Sequence, residues 1–323
     1  VKRFKHAKTL FNDALILASL QAKNGGVSAS YGLSQEGYED VWGRDAYFIA
    51  LALKALGLKK RYLKLVKFFA KTQIKHRMDW PYWKLHLGRW PQRINLLGKP
   101  SDWCWDLRVK DSMDYQPDDQ LCLPLTLLVD AYLDGNEKLK ANIELASKAL
   151  EEDLKELKAC DGWWEDRYGR SYYTLPLSQV VCYLKATLSM EKLDESWAKQ
   201  SDRLFNKLKE FWDEEKQVFA RELGEQEVYD SATLFIDPLL EYMESRKNFE
   251  LIDKLIAHVK NQIAGLKKEI NGKLYLKRYE GDKWLGHEKA WSLATLFASY
   301  TCFKLANFLK KNNLLKHEIN ELV

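Results

Sequence analysis

The chain has 323 residues, 46% hydrophobic and 30% charged, an ordinary composition for a folded protein with a sizeable core. Its 51 basic and 46 acidic residues are scattered and leave a net charge of +5, so no basic stripe indicates a nucleic-acid surface. Five cysteines without CxxC spacing and six isolated histidines argue against a disulfide framework and a metal site. The unusual feature of the composition is its aromatic content, with 12 Trp and 16 Tyr.

The cysteine pattern favours a reducing compartment. The most apolar run, residues 121–129, is too short to cross a bilayer, and no signal-peptide pattern opens the chain. Nucleotide-binding and serine-hydrolase motifs do not occur. We therefore expect a cytoplasmic protein with no membrane partner, no nucleic-acid partner and no cofactor, and no pattern indicates an oligomeric state.

Helical periodicity dominates the chain, in two alternating kinds of segment. Amphipathic segments should keep one face in solvent, whereas segments that are apolar on nearly all sides should be buried on all sides. The amphipathic segments are residues 4–22, 58–75, 136–158, 194–212, 248–263 and 313–322. The apolar segments are residues 46–56, 120–132, 172–188, 231–242 and 288–303.

This alternation predicts an all-α fold of inner and outer helices in a ring, formed as a single domain over residues 1–323. A closed toroid of six hairpins needs twelve helices and the pattern supplies eleven, so either one helix escapes the pattern or the toroid is incomplete at its C-terminus. Strand patterns are short, and the run at 273–279 is expected to form a loop hairpin.

Unusual residues precede each apolar segment, which is where helix N-termini present unpaired N–H groups and a positive dipole end. Such ends favour carboxylates and sugar hydroxyls, and we expect all five to face one side of the ring. The residues are Trp42-Gly43-Arg44-Asp45, Tyr115-Gln116-Pro117-Asp118-Asp119, Trp163-Trp164-Glu165-Asp166, Tyr229-Asp230 and Gly286-His287-Glu288-Lys289.

The Trp42 motif has two interpretations. In the first, Arg44 and Asp45 bind the hydroxyls of a terminal sugar and Trp42 lies against the side of that sugar. In the second, Asp45 is a helix cap paired with Arg44. Asp119, with Asp118, is either a cap pair or, beside Tyr115, part of a sugar site.

Glu165 stands between Trp163 and Trp164 on one side and Arg167 on the other. Burial against tryptophan would raise the pKa of this carboxyl group and the arginine would lower it. If the tryptophans dominate, Glu165 is a proton donor to a glycosidic oxygen; otherwise it is an exposed acid at a helix start.

Two further features can be explained by the fold alone, without a role in binding. Asp230 is expected to be an N-cap before Ser231-Ala232-Thr233. The long region 78–114 either supplies aromatic sugar subsites or packs its own tryptophans.

Taken in order, these motifs resemble those of the glucoamylase-like glycoside hydrolases of family 15, over essentially the whole chain. The matching residues are 38–45, 162–167 with 172–174, 228–232, Arg278-Tyr279 and 286–291, which includes Trp291. The resemblance implies an (α/α)6 toroid and an inverting, exo-acting hydrolase of α-linked glucosides without a metal cofactor. Related members cleave α-1,4-linked or α-1,6-linked glucose or trehalose.

The resemblance also implies site roles. Glu165 falls at the general acid, Arg44 and Asp45 at the non-reducing-end glucose, with Trp42 and Trp163 lining it, and Glu288 lies near the sugar. Family members carry the base glutamate on a helix after the Trp291 motif. This chain ends at Val323 before such a helix, so the expected base is either absent or Glu288.

The hypothesis is therefore a glucoamylase-type α-glucosidase acting on oligosaccharides or disaccharides. Its substrate-binding residues would be Trp42, Arg44, Asp45, Tyr115, Asp119, Trp163, Trp164, Arg167 and Trp291. The alternatives are a carbohydrate-binding toroid without catalysis and a trehalase or isomaltose-type hydrolase.

Overall fold

The helices follow one another in the order that the periodicity predicts. The computed structural model describes residues 7–30, 39–76, 78–80, 83–85, 87–101, 119–157, 163–164, 175–224, 229–282 and 289–314. The chain divides into two compact units, Val1–Leu157 and Lys158–Val323. The single domain expected over residues 1–323 stays a prediction.

The first unit is built from helical pairs with short strands in the connecting segments. Its helices are α1 Ala7–Ser19, α2 Gly43–Ala55, α3 Lys59–Thr72, α4 Asp119–Leu133 and α5 Lys140–Lys155. Its strands are β1 Val41–Trp42, β2 Met78–Trp80, β3 Trp83–Leu85 and β4 Arg93–Ile94. β2 and β3 form an antiparallel hairpin, and β1 pairs with β4.

The second unit repeats the helical pairing and adds a small sheet. Its α-helices are α6 Leu177–Glu191, α7 Ala198–Leu208, α8 Asp237–Arg246, α9 Ile252–Leu266 and α10 Ser292–Lys311. Its strands are β5 Trp212–Asp213, β6 Val218–Phe219, β7 Lys267–Ile270, β8 Lys273–Lys277 and β9 Ala290–Trp291. The hairpin expected at 273–279 is β7–β8, and β9 extends it to three antiparallel strands.

The predicted contrast between the two kinds of helix holds for most of them. α4 and α6 are buried along nearly their whole length, as apolar segments should be. α3, α5 and α7 bury one face and expose the other. None of the helices within the described residues is both long enough and apolar enough to cross a membrane.

Three predictions about the apolar segments need correction. α6 begins at Leu177 rather than at 172, because Pro176 holds an extended backbone directly before it. The segment 231–242 is a 3₁₀ turn, Ser231–Leu234, followed by α8 with Pro238 in its first turn.

Burial on all sides is the third error, and it concerns α10. One face of this helix packs on β8, α9 and the 3₁₀ turn. Its other face exposes Leu293, Leu296 and Phe303, each by more than half. Apolar composition therefore marks which helices can be buried, but the neighbours of each helix decide how much of it is.

The long region 78–114 packs at least one tryptophan inward. Trp90 is 1% exposed, and its indole Nε1–H donates to the carbonyl of Phe69 at 2.8 Å. Residues 102–114, with Trp103 and Trp105, lie outside the described residues. At Trp90, therefore, the region packs its own tryptophan and does not expose it as a sugar subsite.

A buried histidine joins three elements of the second unit. His258 on α9 is fully buried; its Nδ1 accepts from the backbone N–H of Phe219 at 3.0 Å. Its Nε2 lies 3.0 Å from the carbonyl oxygen of Thr233, so the neutral Nε2–H tautomer satisfies both contacts. Burial lowers the pKa of His258 to about 4, since an imidazolium would lose its hydration there.

This histidine should make the fold sensitive to mild acid. In the unfolded state His258 titrates near 6.5. As pH falls from about 6.5 to 4, the unfolded state therefore binds a proton at His258 and the folded state does not. The free energy of unfolding should therefore drop by on the order of 3 kcal/mol over that interval, from this residue alone. Denaturant unfolding of wild type and His258→Gln at pH 7 and pH 4 measures the difference.

The exposed His76 gives a matched control in His76→Gln. A pH dependence that survives unchanged in His258→Gln would show that other groups cause it.

Candidate active site

A short antiparallel pair positions the Trp42 motif in the first unit. β1 and β4 align Val41 with Ile94 and Trp42 with Arg93. Trp42 is 4% exposed, and the Arg93 guanidinium lies 5.8 Å from its ring centroid. Arg93 also pairs with Asp40 at 3.6 Å. Trp42 is thus fixed from the loop side before the chain turns into α2.

The N-terminal ends of α2 and α4 meet at this point. The N–H of Gly43 donates to the side-chain oxygen of Gln120 at 3.2 Å, and Arg44 Nη1 lies 3.3 Å from Asp119 Oδ2. A Cβ at position 43 would stand 2.6 Å from Gln120 Oε1, so a larger residue there would displace the Gln120 side chain from its contact with the N–H of residue 43. The structure therefore joins two predicted motifs that are 75 residues apart.

Two carboxyl groups at this junction are shifted towards the protonated form. Burial raises the pKa of Asp119 to about 6; Arg44 counteracts the rise and Asp45 adds to it. Burial also raises the pKa of Asp45, against the pull of Arg44. The N-cap of α2 is Trp42, with Asp45 in the first turn, so the cap reading of Asp45 is not what the structure shows.

The junction also contains polar atoms without partners. Asp119 Oδ1 and Gln120 Nε2 are buried, and neither has a hydrogen-bond partner among the described residues. Buried polar groups are normally satisfied, so an acceptor and a donor left open on consecutive residues call for an explanation.

In the second unit the adjacent tryptophans have different surroundings. Trp163 is 5% exposed and packs on Phe235 and Phe297, with ring centroids 5.1 and 5.9 Å away. Its indole N–H lies 3.3 Å from the Cys182 sulfur. Trp164 instead donates its indole N–H to Asp230 Oδ1 at 2.6 Å. Trp163 is thus a core contact, and Trp164 belongs to a charged network.

Asp230 is the centre of that network and does more than cap. As expected, it is an N-cap: its Oδ1 accepts from the N–H of Ala232 at 2.8 Å. Its Oδ2 also accepts from Arg221 Nε at 3.0 Å, and its own N–H donates to Gln262 Oε1 at 2.9 Å. The carboxylate is 2% exposed.

Arg278 lies beside this network among aromatic rings. Its guanidinium is 5.6 Å from the Trp164 ring, 4.7 Å from Tyr279 and 5.0 Å from Trp291. Asp282 holds it through two hydrogen bonds, of 2.8 and 3.1 Å. Three predicted motifs of the second unit, those at Trp164, Asp230 and Trp291, therefore meet around two arginines.

The remaining predicted site residues, Tyr115, Glu165, Arg167 and Glu288, lie outside the described residues, and their roles stay predictions. Among the residues described, no group of three His, Cys, Asp or Glu side chains is placed to hold a metal ion.

The sequence did not reveal several polar residues of the α2–α4 junction and of the network around Asp230. These residues are Arg93, Gln120, Arg221, Glu222 and Asp282. A usable signal existed for Arg221 and Glu222. They follow the buried run Val-Phe-Ala at 218–220, and a charged pair directly after a buried strand end is a candidate for a buried network.

Comparison with known proteins identifies the fold. The family 15 glucoamylase of Hypocrea jecorina matches with a TM-score of 0.69 at 15% identity, over 97% of this chain and 57% of that one. A glycosidase in complex with glucose matches with a TM-score of 0.68 at 15% identity, over 91% of this chain and 77% of that one. This is the all-α (α/α)6 glycosidase fold.

Sequence comparison is sparser. No family model matches the chain. It is 24% identical over 314 residues to an uncharacterized glycosyl hydrolase of Methanocaldococcus jannaschii, a match that covers 93% of this chain and 45% of that protein. The chain thus spans less than half the length of this relative. The predicted resemblance to glucoamylases is confirmed for the fold.

The Arg44–Asp119 pair gives a stability test within this glycosidase fold. Arg44 is 16% exposed and Asp119 is not exposed, so Arg44→Met leaves a buried carboxylate without its cation. At pH 7.5 we expect the free energy of unfolding to fall by about 3 kcal/mol. At pH 5 the loss should be smaller, because Asp119, with a pKa already about 6, takes up a proton instead.

The exposed pair of Lys54 and Asp130, 3.5 Å apart, provides the control. Lys54→Met should cost less than about 1 kcal/mol at either pH. Denaturant unfolding measures all four values, and equal losses in the two variants would contradict a desolvated pair at the start of α2.

Proposed function

We propose that this chain is a glycoside hydrolase of the glucoamylase type, which releases glucose by inversion from the non-reducing ends of α-linked glucosides. The structural neighbours and the curated relative support the coarser part of this proposal, glycoside hydrolase function. The α-glucoside specificity, the exo action and the inversion are argued from individual residues.

The observation that carries the proposal is the junction of α2 and α4. Arg44, Asp45 and Asp119 stand at two helix N-termini, which favour carboxylates and hydroxyls. The open atoms, Asp119 Oδ1 and Gln120 Nε2, are an acceptor and a donor. A sugar hydroxyl both donates and accepts, so sugar hydroxyls have the chemistry that the two atoms need.

The chemistry of the junction also distinguishes it from a structural ion pair. Glu241, on α8, is a partly buried carboxylate with 29% of its side chain exposed, and Lys185 and Lys192 outweigh the effect of its burial and lower its pKa to about 2. Asp119 has one cation and keeps a raised pKa. A carboxyl group left short of partners in a buried position is typical of a binding site.

Neighbouring structures suggest the size of the ligand. One neighbour is a glycosidase in complex with glucose, and another is a bacterial glucoamylase complexed with acarbose, with a TM-score of 0.64, 15% identity and coverage of 95% of this chain and 50% of that one. We propose by analogy that the residues at 42–45 bind a single terminal glucose ring.

The proposed reaction needs an acid and a base. Glu165 donates its proton to the glycosidic oxygen as the bond from that oxygen to the anomeric carbon breaks. A water attacks the opposite face of the anomeric carbon while a second carboxylate, for which we propose Glu288, takes its proton. Inversion requires the two carboxyl groups to be about 6.5–9.5 Å apart, which leaves room for the water.

The acid role of Glu165 has a kinetic signature. Glu165→Gln should lower kcat for maltose by about 10²- to 10⁴-fold, because the leaving sugar needs a proton. An aryl glucoside with a good leaving group, 2,4-dinitrophenyl α-glucoside, needs none and should be cleaved almost normally. Glu288→Gln should slow both substrates, since water activation is common to them.

Glu156, an exposed residue at the end of α5, supplies the control variant Glu156→Gln, which should match wild type. Equal loss on both substrates in Glu165→Gln would reject the acid role, and binding of glucose by a wild type that cleaves neither would favour the carbohydrate-binding alternative.

Inversion predicts the anomer of the product. From maltose, β-glucose should appear first, because the water enters opposite to the departing α-linked group. Proton NMR within the first minutes of reaction distinguishes the two anomeric protons before mutarotation. The α-anomer appearing first would show a retaining mechanism, and parallel assays on isomaltose and trehalose would select among the linkages.

A further inference from the structure

Asp230 carries more hydrogen bonds than a helix cap needs. A cap requires one acceptor for a backbone N–H, which Asp194 provides for Ser196 at 2.9 Å at the start of the 3₁₀ turn Glu195–Trp197. Asp194 and Asp230 have nearly the same backbone angles. The additional side-chain donors at Asp230, from Trp164 and Arg221, therefore indicate another purpose.

The burial of this network makes those contacts directional. Asp230 is 2% exposed and the Arg221 side chain 8% exposed, so water cannot substitute for a misplaced partner. A charged acceptor at 2.6 Å holds the indole N–H of Trp164 strongly. One edge of the Trp164 ring is thereby fixed.

The same ring is held on its face. The Arg278 guanidinium lies 5.6 Å from its centroid and is itself held by Asp282. Ser231, the residue after Asp230, holds the backbone at Arg278: it donates to the Arg278 carbonyl from its N–H at 2.9 Å and from its hydroxyl at 2.7 Å. The hydrogen bond to Asp230 and the cation on the ring face together define the position of the indole.

Trp164 is joined by one peptide bond to Glu165. We propose that Asp230 is a positioning residue of the hydrolase, which fixes the indole of Trp164 and thereby supports proton donation by Glu165, the next residue in the chain. Asp230 transfers no proton in the reaction. This inference rests on the proposed function, in which Glu165 is the general acid.

The substitution Asp230→Asn tests it with little change in size. An amide offers one oxygen where the carboxylate offers two and carries no charge, so in either orientation of the amide Trp164 loses its charged acceptor. Weaker proton donation by Glu165 should lower kcat for maltose by about 100-fold and leave KM unchanged. The rate on 2,4-dinitrophenyl α-glucoside should stay within about threefold of wild type, because that leaving group needs no proton.

Two further variants separate positioning from general damage. Asp194→Asn makes the same change at an exposed cap of the same geometry and should leave both rates unchanged. Trp164→Phe should reproduce the selective loss on maltose, and the double variant with Asp230→Asn should lose no more than the larger single loss. Equal slowing of both substrates, or losses that multiply in the double variant, would overturn the inference while leaving the proposed function intact.

An NMR measurement tests the contact without turnover. The indole proton of Trp164, assigned by its disappearance in Trp164→Phe, should move upfield in Asp230→Asn and stay in place in Asp194→Asn. An unmoved resonance in folded Asp230→Asn would overturn the inference. If Asp230→Asn does not fold, Trp164→Phe decides alone: selective loss on maltose supports positioning, and equal loss rejects it. A wild type inactive on both glucosides would overturn the proposed function and this catalytic role together.

Discussion

A carboxylate removed from water must be met by a cation or by N–H groups, and this requirement organises the polar residues of both units. Asp119 is met by Arg44, Asp230 by Arg221 and the indole of Trp164, and Asp282 by Arg278. Arg44 comes from the first turn of α2, whereas Arg221 and Arg278 follow the strands β6 and β8. The helix ends supply N–H groups and the arginines supply charge, so acidic side chains can be placed where helices begin without unfolding them.

The carboxylates of the α2–α4 junction and of the network around Asp230 meet this requirement to different degrees. Around Asp230 the donors are numerous enough to satisfy both carboxylate oxygens, which makes the site rigid. At Asp119 one oxygen remains open, and burial keeps its pKa raised in spite of Arg44. A satisfied carboxylate holds other groups in place, whereas an unsatisfied one is available to a ligand. The difference supports assigning positioning to the second unit and hydroxyl binding to the first.

Periodicity was sufficient to predict the order and kind of the helices, because a 3.6-residue repeat of apolar side chains is local in sequence. It failed where long-range packing decides: α10 exposes Leu293 and Phe303 although its composition resembles that of the buried α6. The site motifs at 42–45 and 163–164 were found because their residue types are unusual together. Arg221 was missed, since its significance comes from Asp230 and Tyr279, which only the fold brings near.

The fold and the candidate site are coupled through α9. His258 and Gln262 are four residues apart, so they lie on one face of the helix. His258 accepts from Phe219 at the end of β6 and lies 3.0 Å from the carbonyl of Thr233, while Gln262 accepts from the N–H of Asp230. One helix face thus holds both the strand that leads to Arg221 and the turn that begins at Asp230. Because the two partners of the Arg221–Asp230 pair are anchored to the same helix, their separation does not depend on the loops between them. A buried polar helix face costs stability unless every group on it is paired. The paired polar face of α9 therefore fixes the geometry of the Arg221–Asp230 pair as part of the fold.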